Sequence, residues 1–206
     1  MKKNFKHKFF LNFILLVFFG FGFSIQEKYN NQNKLQYLNG QIKLTNNDFV
    51  SSAWGVLDEY SEKIGIDSNT SFIIDRNKAG FNQTHHISLQ QAYKGTPVFG
   101  KYIKIHANKH DFISSVSSNI IQIDLDNNPK YNDYEIVKII QEEVVKNNGY
   151  IKNHGLMIYQ KNKIHLVYAM DYIDFEFAWK YMIDAHSGKI VDQIPLIYDA
   201  GPTIGS

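Results

Sequence analysis

Between Ser71 and Ile123 the sequence runs in short β-branched and aromatic stretches cut by turn residues, a pattern that demands an antiparallel sheet with one buried face. Gln83 to Tyr93 alternates imperfectly, Lys94-Gly95 supplies a turn, and Val98 to His106 sets Tyr102, Lys104 and His106 against Ile103 and Ile105. Phe112 to Val116 follows an Asn-Lys-His-Asp turn, which completes a meander. Such a sheet needs an apolar cover. Thr45 with Asp48 three residues on forms a capping pattern, and Phe49, Ala53, Val56, Leu57, Tyr60 and Ile64 follow at helical spacing until Gly65 closes the helix.

The order repeats further on. Asp124 to Lys130, with Asn127, Asn128 and Pro129, breaks the periodicity, and Asn132 with Glu135 opens a second helix that runs to Asn148. Ile136, Val137, Ile139, Ile140, Val144 and Val145 give it a broad apolar face, and Asn147-Asn148-Gly149 is a stop. Four strand-like runs follow: Leu156 to Gln160, Ile164 to Tyr172, Phe175 to Asp184 and Lys189 to Ile194. The expected fold class is α+β, in two small subdomains at residues 45–125 and 130–195, each a helix packed on an antiparallel sheet. Residues 25–44, rich in Asn, Gln, Lys and Tyr without periodicity, read as a flexible leader, and 196–206 as an exposed tail.

Residues 1–24 have secretory grammar: Lys2, Lys3, Lys6 and Lys8 without an acid, then an apolar run from Phe9 to Phe23. Small residues Gly22 and Ser24 place cleavage between Ser24 and Ile25. The apolar run is shorter than the about 20 residues a membrane span needs, so no stable membrane insertion is expected once it is cleaved, and the product is secreted or periplasmic. The whole chain has 22 basic and 20 acidic residues; removing the four signal lysines leaves 18 basic against 20 acidic. With that balance and no dense Lys/Arg run, no nucleic-acid partner is expected. The chain has no cysteine, which excludes thiol catalysis, zinc-thiolate sites and lipid attachment through cysteine.

Eight histidines raise the question of a metal, but their spacing does not answer it. His106 and His110 flank a strand end and a turn, His85 and His86 point to opposite faces of a strand, and His154, His165 and His186 stand alone. Asp124, Asp126, Asn128 and Glu135 fit a calcium loop in spacing, yet Pro129 sits where such a loop needs glycine. No Gly-x-Ser-x-Gly elbow, phosphate cradle or His-Glu-x-x-His is present, so neither an enzyme nor a cofactor is expected.

Two stretches carry a resemblance. His86-Ile87-Ser88-Leu89-Gln90-Gln91-Ala92-Tyr93-Lys94-Gly95-Thr96-Pro97-Val98-Phe99-Gly100, continuing through Ile103, Ile105 and His106 to Ile113, Ser114, Ser115 and Val116, resembles the FTP (fungalysin/thermolysin propeptide) domain. That family pattern closes on a glycine where this chain has Ser117-Ser118-Asn119. Leu166 to Ala169 and Trp179 to Val191, ending Ile183-Asp184-Ala185 and Ser187-Gly188-Lys189, are similar to the PepSY module, with Trp179 expected in its core beside Tyr168. The order resembles the prosegment of thermolysin-like secreted zinc metalloproteases, with residues 198–206 similar to the junction ahead of the catalytic domain and no zinc ligand carried over. The resemblance implies a non-catalytic inhibitor and folding assistant whose partner is a thermolysin-like metalloprotease catalytic domain. Tyr93, Pro97, Val98 and Phe99, within the motif, are the candidate partner-binding residues, against a packing role. Two alternatives stand beside it: a truncated remnant of a preproprotease with no independent role, and an envelope PepSY interaction protein.

Overall fold

The computed structural model describes residues 25–44, 48–110, 112–144 and 149–196. Ser24, Thr45, the Asn147-Asn148 stop and the tail from residue 197 lie outside them. The fold is α+β and mostly sheet. Strands β1 (Gln26–Tyr29) and β2 (Leu35–Lys43) precede helices α1 (Phe49–Glu59) and α2 (Ser61–Ile64). Strands β3 (Thr70–Ala79), β4 (His85–Tyr93), β5 (Thr96–Ala107) and β6 (Phe112–Ser118) form the expected meander. Helix α3 (Asp133–Glu143) then leads into β7 (Tyr150–Gln160), β8 (Ile164–Ile173), β9 (Ala178–Asp184) and β10 (Ile190–Pro195). Among the described residues no helix is long and apolar enough to cross a membrane.

Residues 25–44 are not a flexible leader. β2 pairs antiparallel with β6, β1 pairs with β2, and Leu35 and Leu38 are buried in the first core. The strands escaped the period-2 pattern because register shifts interrupt both pairings, so buried side chains do not fall on alternate residues. The first helix is capped by Asp48, whose carboxylate accepts from Ser51 N at 2.9 Å. Asn132 and Glu135 form the reciprocal capping box expected of them, which commits the Glu135 side chain to the Asn132 N–H at 2.8 Å.

α1 and α2 cover one face of β3–β6. Phe49, Ala53, Val56, Leu57, Tyr60 and Ile64 meet Ile87, Leu89, Ile103, Ile105, Ile113 and Val116 in a core they share with the two leader leucines. α3 does the same for β7–β9, setting Ile136 and Ile140 against Ile158, Leu166, Tyr168, Met170 and Ile183. These are two cores on one sheet, because the strand order β1-β2-β6-β5-β7-β8-β9-β10 passes through β5 without a break.

The β4–β5 hairpin explains that continuity. Lys94 (φ +47°) and Gly95 (φ +83°) make the tight turn, and Tyr93 pairs with Thr96 and Ala92 with Pro97. The register then shifts, so that Gln90 faces Tyr102, and the extra β5 residues between Pro97 and Tyr102 include Gly100 at φ +70°. Released from β4 by this bulge, Val98 makes a parallel pair with Ile158 of β7. Gln91, opposite the bulge and fully buried, donates to Ile121 O at 2.7 Å and accepts from Ile121 N at 3.0 Å. That pins the extended connection between β6 and α3, from which Ile123 enters the second core.

Candidate functional site

The face of β3–β6 turned away from α1 is read directly from register. Residues opposite one another on neighbouring antiparallel strands share a face. One row therefore contains Arg76, Ser88, Lys104, Ser117 and Tyr37; the next contains Lys78, His86, His106, Ser115 and Asn39. Arg76, Lys78 and Lys104 are exposed, and among the described residues none of them has a carboxylate within ion-pair distance. The groove across this face has a cavity volume of about 270 Å³, lined by Arg76, Lys104, His86, His106 and Tyr102, with Asp75 as its lining carboxylate. A second hollow continues it past Tyr102 and Lys104 to Ser117 and Asn119.

His86 and His106 meet through their Nδ1 atoms, and the far nitrogen of His86, Nε2, lies 3.2 Å from Thr84 Oγ1. Burial pushes the His106 imidazole below its ordinary pKa, and the neighbouring His86 and Lys104 add to the shift. His85 points the other way, as the strand period requires, and rests against Phe49 with ring centroids 5.4 Å apart. At the family pattern's missing glycine, Asn119 closes the groove with its side chain, accepting from Tyr102 N at 2.6 Å and donating to Gly100 O at 3.0 Å.

The opposite half of the sheet arranges its polar groups differently. His154, His165 and His186, isolated in sequence, each find a partner. Asp171 on β8, 8% exposed, bonds Lys180 of β9 and lies 2.6 Å from His154 Nε2 of β7. Burial drives the Asp171 carboxyl up, but its bonds to Lys180 and His154 outweigh this and hold it below its usual value. Asp184 is held down in the same sense, its burial outweighed by His165 Nδ1 at 2.8 Å, Ser187 and two backbone N–H groups. His186 Nε2 lies 2.9 Å from Asn128 O. Trp179 is partly buried against the second core, but its cross-strand neighbour is Tyr172; Tyr168 faces Ile183 and donates to Tyr131 O at 2.9 Å. The β8–β9 turn, Asp174 to Phe177, carries the fully exposed Phe175 and is held by Asp174, which accepts from Glu176 N and Phe177 N at 2.8 and 2.7 Å.

The four motif residues fall in two groups. Tyr93 and Val98 are buried in the second core. Pro97 and Phe99 are half-buried, and the Phe99 ring meets Tyr159 edge-on with centroids 5.8 Å apart. Burial and the Asp192 carboxylate push the Tyr159 hydroxyl up to about 12. Of the cleavage pair, Ile25 is exposed and immediately precedes β1, while Ser24 is outside the described residues. Sequence reading missed the cationic rows altogether, since their members come from strands whose pairing the bulges reset.

Residues 73–120, which include β4, β5 and β6, match the model of the fungalysin/thermolysin propeptide motif. The chain is 26% identical over 163 residues to bacillolysin of Brevibacillus brevis, an alignment that takes in 70% of this chain and 31% of that protein. It therefore spans about a third of the length of this curated relative. The C-terminal domain of YpeB from Bacillus megaterium superposes with a TM-score of 0.41 and 11% identity, over 85% of this chain and 89% of that one. Through the motif at residues 73–120, the chain resembles the prosegment of thermolysin-like metalloproteases.

Proposed function

We propose that this chain is a non-catalytic propeptide-type module that inhibits a thermolysin-like secreted metalloprotease and assists its folding. The observation that carries the proposal is the propeptide motif at residues 73–120, within a chain 26% identical to bacillolysin over 163 residues. The mechanism is linkage. A module that binds the native catalytic domain and not its unfolded chain stabilises the native state by RT ln(1 + [L]/Kd), and a bound module that covers the substrate cleft excludes substrate. Export follows from the signal grammar of residues 1–24. Residues 45–125, with the β1–β2 hairpin added, and residues 130–195 act as FTP-like and PepSY-like halves joined at β5. Pro97 and Phe99 approach the partner, while Tyr93 and Val98 hold the hairpin from inside.

The test is titration of the purified chain into an active thermolysin-type protease, following hydrolysis of a small peptide substrate while checking that the added protein stays intact. The proposal expects saturable inhibition and faster recovery of activity when denatured protease is refolded with the chain. A folded chain that neither inhibits nor assists refolding across a panel of such proteases refutes it. That outcome would favour a remnant or an envelope interaction protein.

A further inference from the structure

We propose that the outer face of β3–β6 is a docking site for an acidic segment of a partner protein. The assignment does not depend on the propeptide reading. It rests on an imbalance: residues 25–206 have 18 basic and 20 acidic groups, yet two adjacent rows across this face hold Arg76, Lys78, Lys104, His86 and His106 with no carboxylate. An ordinary solvated face interleaves both signs. Here the fixed cations are exposed and without an ion-pair partner among the described residues, Asp75 on the β3 bulge is the one carboxylate among the residues lining the groove, and Ser88, Ser115 and Ser117 supply hydroxyls between the charges.

The spacing suits a peptide. Strands lie about 4.8 Å apart, so Arg76 and Lys104, two strands distant, are separated by roughly 10 Å at the backbone, and the rows themselves are two residues apart along each strand. That footprint fits a few carboxylates on an extended segment crossing the strands. It is too small for the long, uniform charge of a nucleic-acid duplex, and the next row outward, Ile73, Gln90 and Tyr102, carries no cation. Tyr102 and Asn119 wall the far end, where an aromatic ring and an amide already held by Gly100 and Tyr102 give the site a fixed edge. The two imidazoles sit between Lys78 and Ser115 in their own row and beside Lys104 in the next.

The experiment is fluorescence anisotropy of a labelled hexaglutamate peptide titrated with the purified chain at low salt and pH 8. The proposal expects saturable binding that weakens steeply with added salt and falls about tenfold or more in a K78E/K104E variant. Because both lysines are exposed, that variant keeps its thermal transition, and a control variant at the remote loop, F175S, binds as the parent does. Absence of binding, or binding unchanged by K78E/K104E in a folded protein, overturns the proposal. Tighter binding of a heparin hexasaccharide or a short DNA duplex than of the peptide overturns the assignment to a protein segment.

Discussion

The two halves of this sheet solve the same packing problem and then part company on their second face. In each, a helix with a side-chain-capped N-terminus, joined in the first half by the short α2, lays a small set of apolar residues on antiparallel strands. On β7–β9 the far face is itself apolar, with Val167, Ala169 and Met182 fully buried, and its buried carboxylate, Asp171, is paired with Lys180 and bonded to His154. On β3–β6 the far face is polar and its cations are left unpaired among the described residues. Buried charge must be paired for the fold to stand, whereas exposed charge need not be, so unpaired cations on one side of a sheet point to recognition more than to stability.

The largest effect concerns what belongs to the first half at all. Leu38 lies in a segment that composition marks as a leader, yet it is fully buried against α1 and β6. Leu38→Ala is expected to cost about 2–5 kcal/mol in denaturant unfolding, the range for a large core residue cut to Ala. A loss under about 0.5 kcal/mol, the scale of a neutral surface change, would return β1 and β2 to the status of a leader.

Next comes the contrast in charge. Asp171→Asn leaves the Lys180 ammonium half-buried beside a neutral amide, and roughly 1–3 kcal/mol of stability is expected to go with it. Lys104→Asn, on the exposed face, should stay within about 0.5 kcal/mol. Chemical denaturation of both variants measures the difference directly, and equal losses would erase the distinction between the faces. Smaller again is the α3 cap, where Asn132→Ala should cost about 1 kcal/mol by removing the acceptor for Glu135 N.

That cap could be read from sequence because its parts lie three residues apart. So could the Lys94-Gly95 turn, the apolar faces of both helices and the alternation of β5, each of which is a local pattern. The cationic face could not. Counted from the Tyr93–Thr96 pair without interruption, His86 would face Ile103; the bulge between Gln90 and Ala92 moves it opposite His106 instead. β1 and β2 were illegible for a related reason: β2 pairs with β6, about 70 to 80 residues away, through a shifted register. Of the four residues singled out in the motif, Tyr93 and Val98 serve the core, because aromatic and β-branched residues beside a turn look the same in sequence whether they face in or out.

The smallest effect separates the two faces by pH. The native pKa of His106 is lowered from 6.5, so over the window just below 6.5 the unfolded chain binds a proton that the folded chain refuses, and stability falls as the solution is acidified. The native pKa of Asp171 is also lowered, from 3.8, but for a carboxylate this means stability held above that value and lost only as pH falls through the lower native one. Acid should therefore weaken the protein in two stages, the β4–β5 face first and the β7–β9 face later. His106→Gln removes the upper stage and leaves the lower. Thermal unfolding midpoints measured from pH 8 to pH 3 would read both, and an unchanged slope between pH 6.5 and pH 5 in the variant would mean that the first stage arises elsewhere.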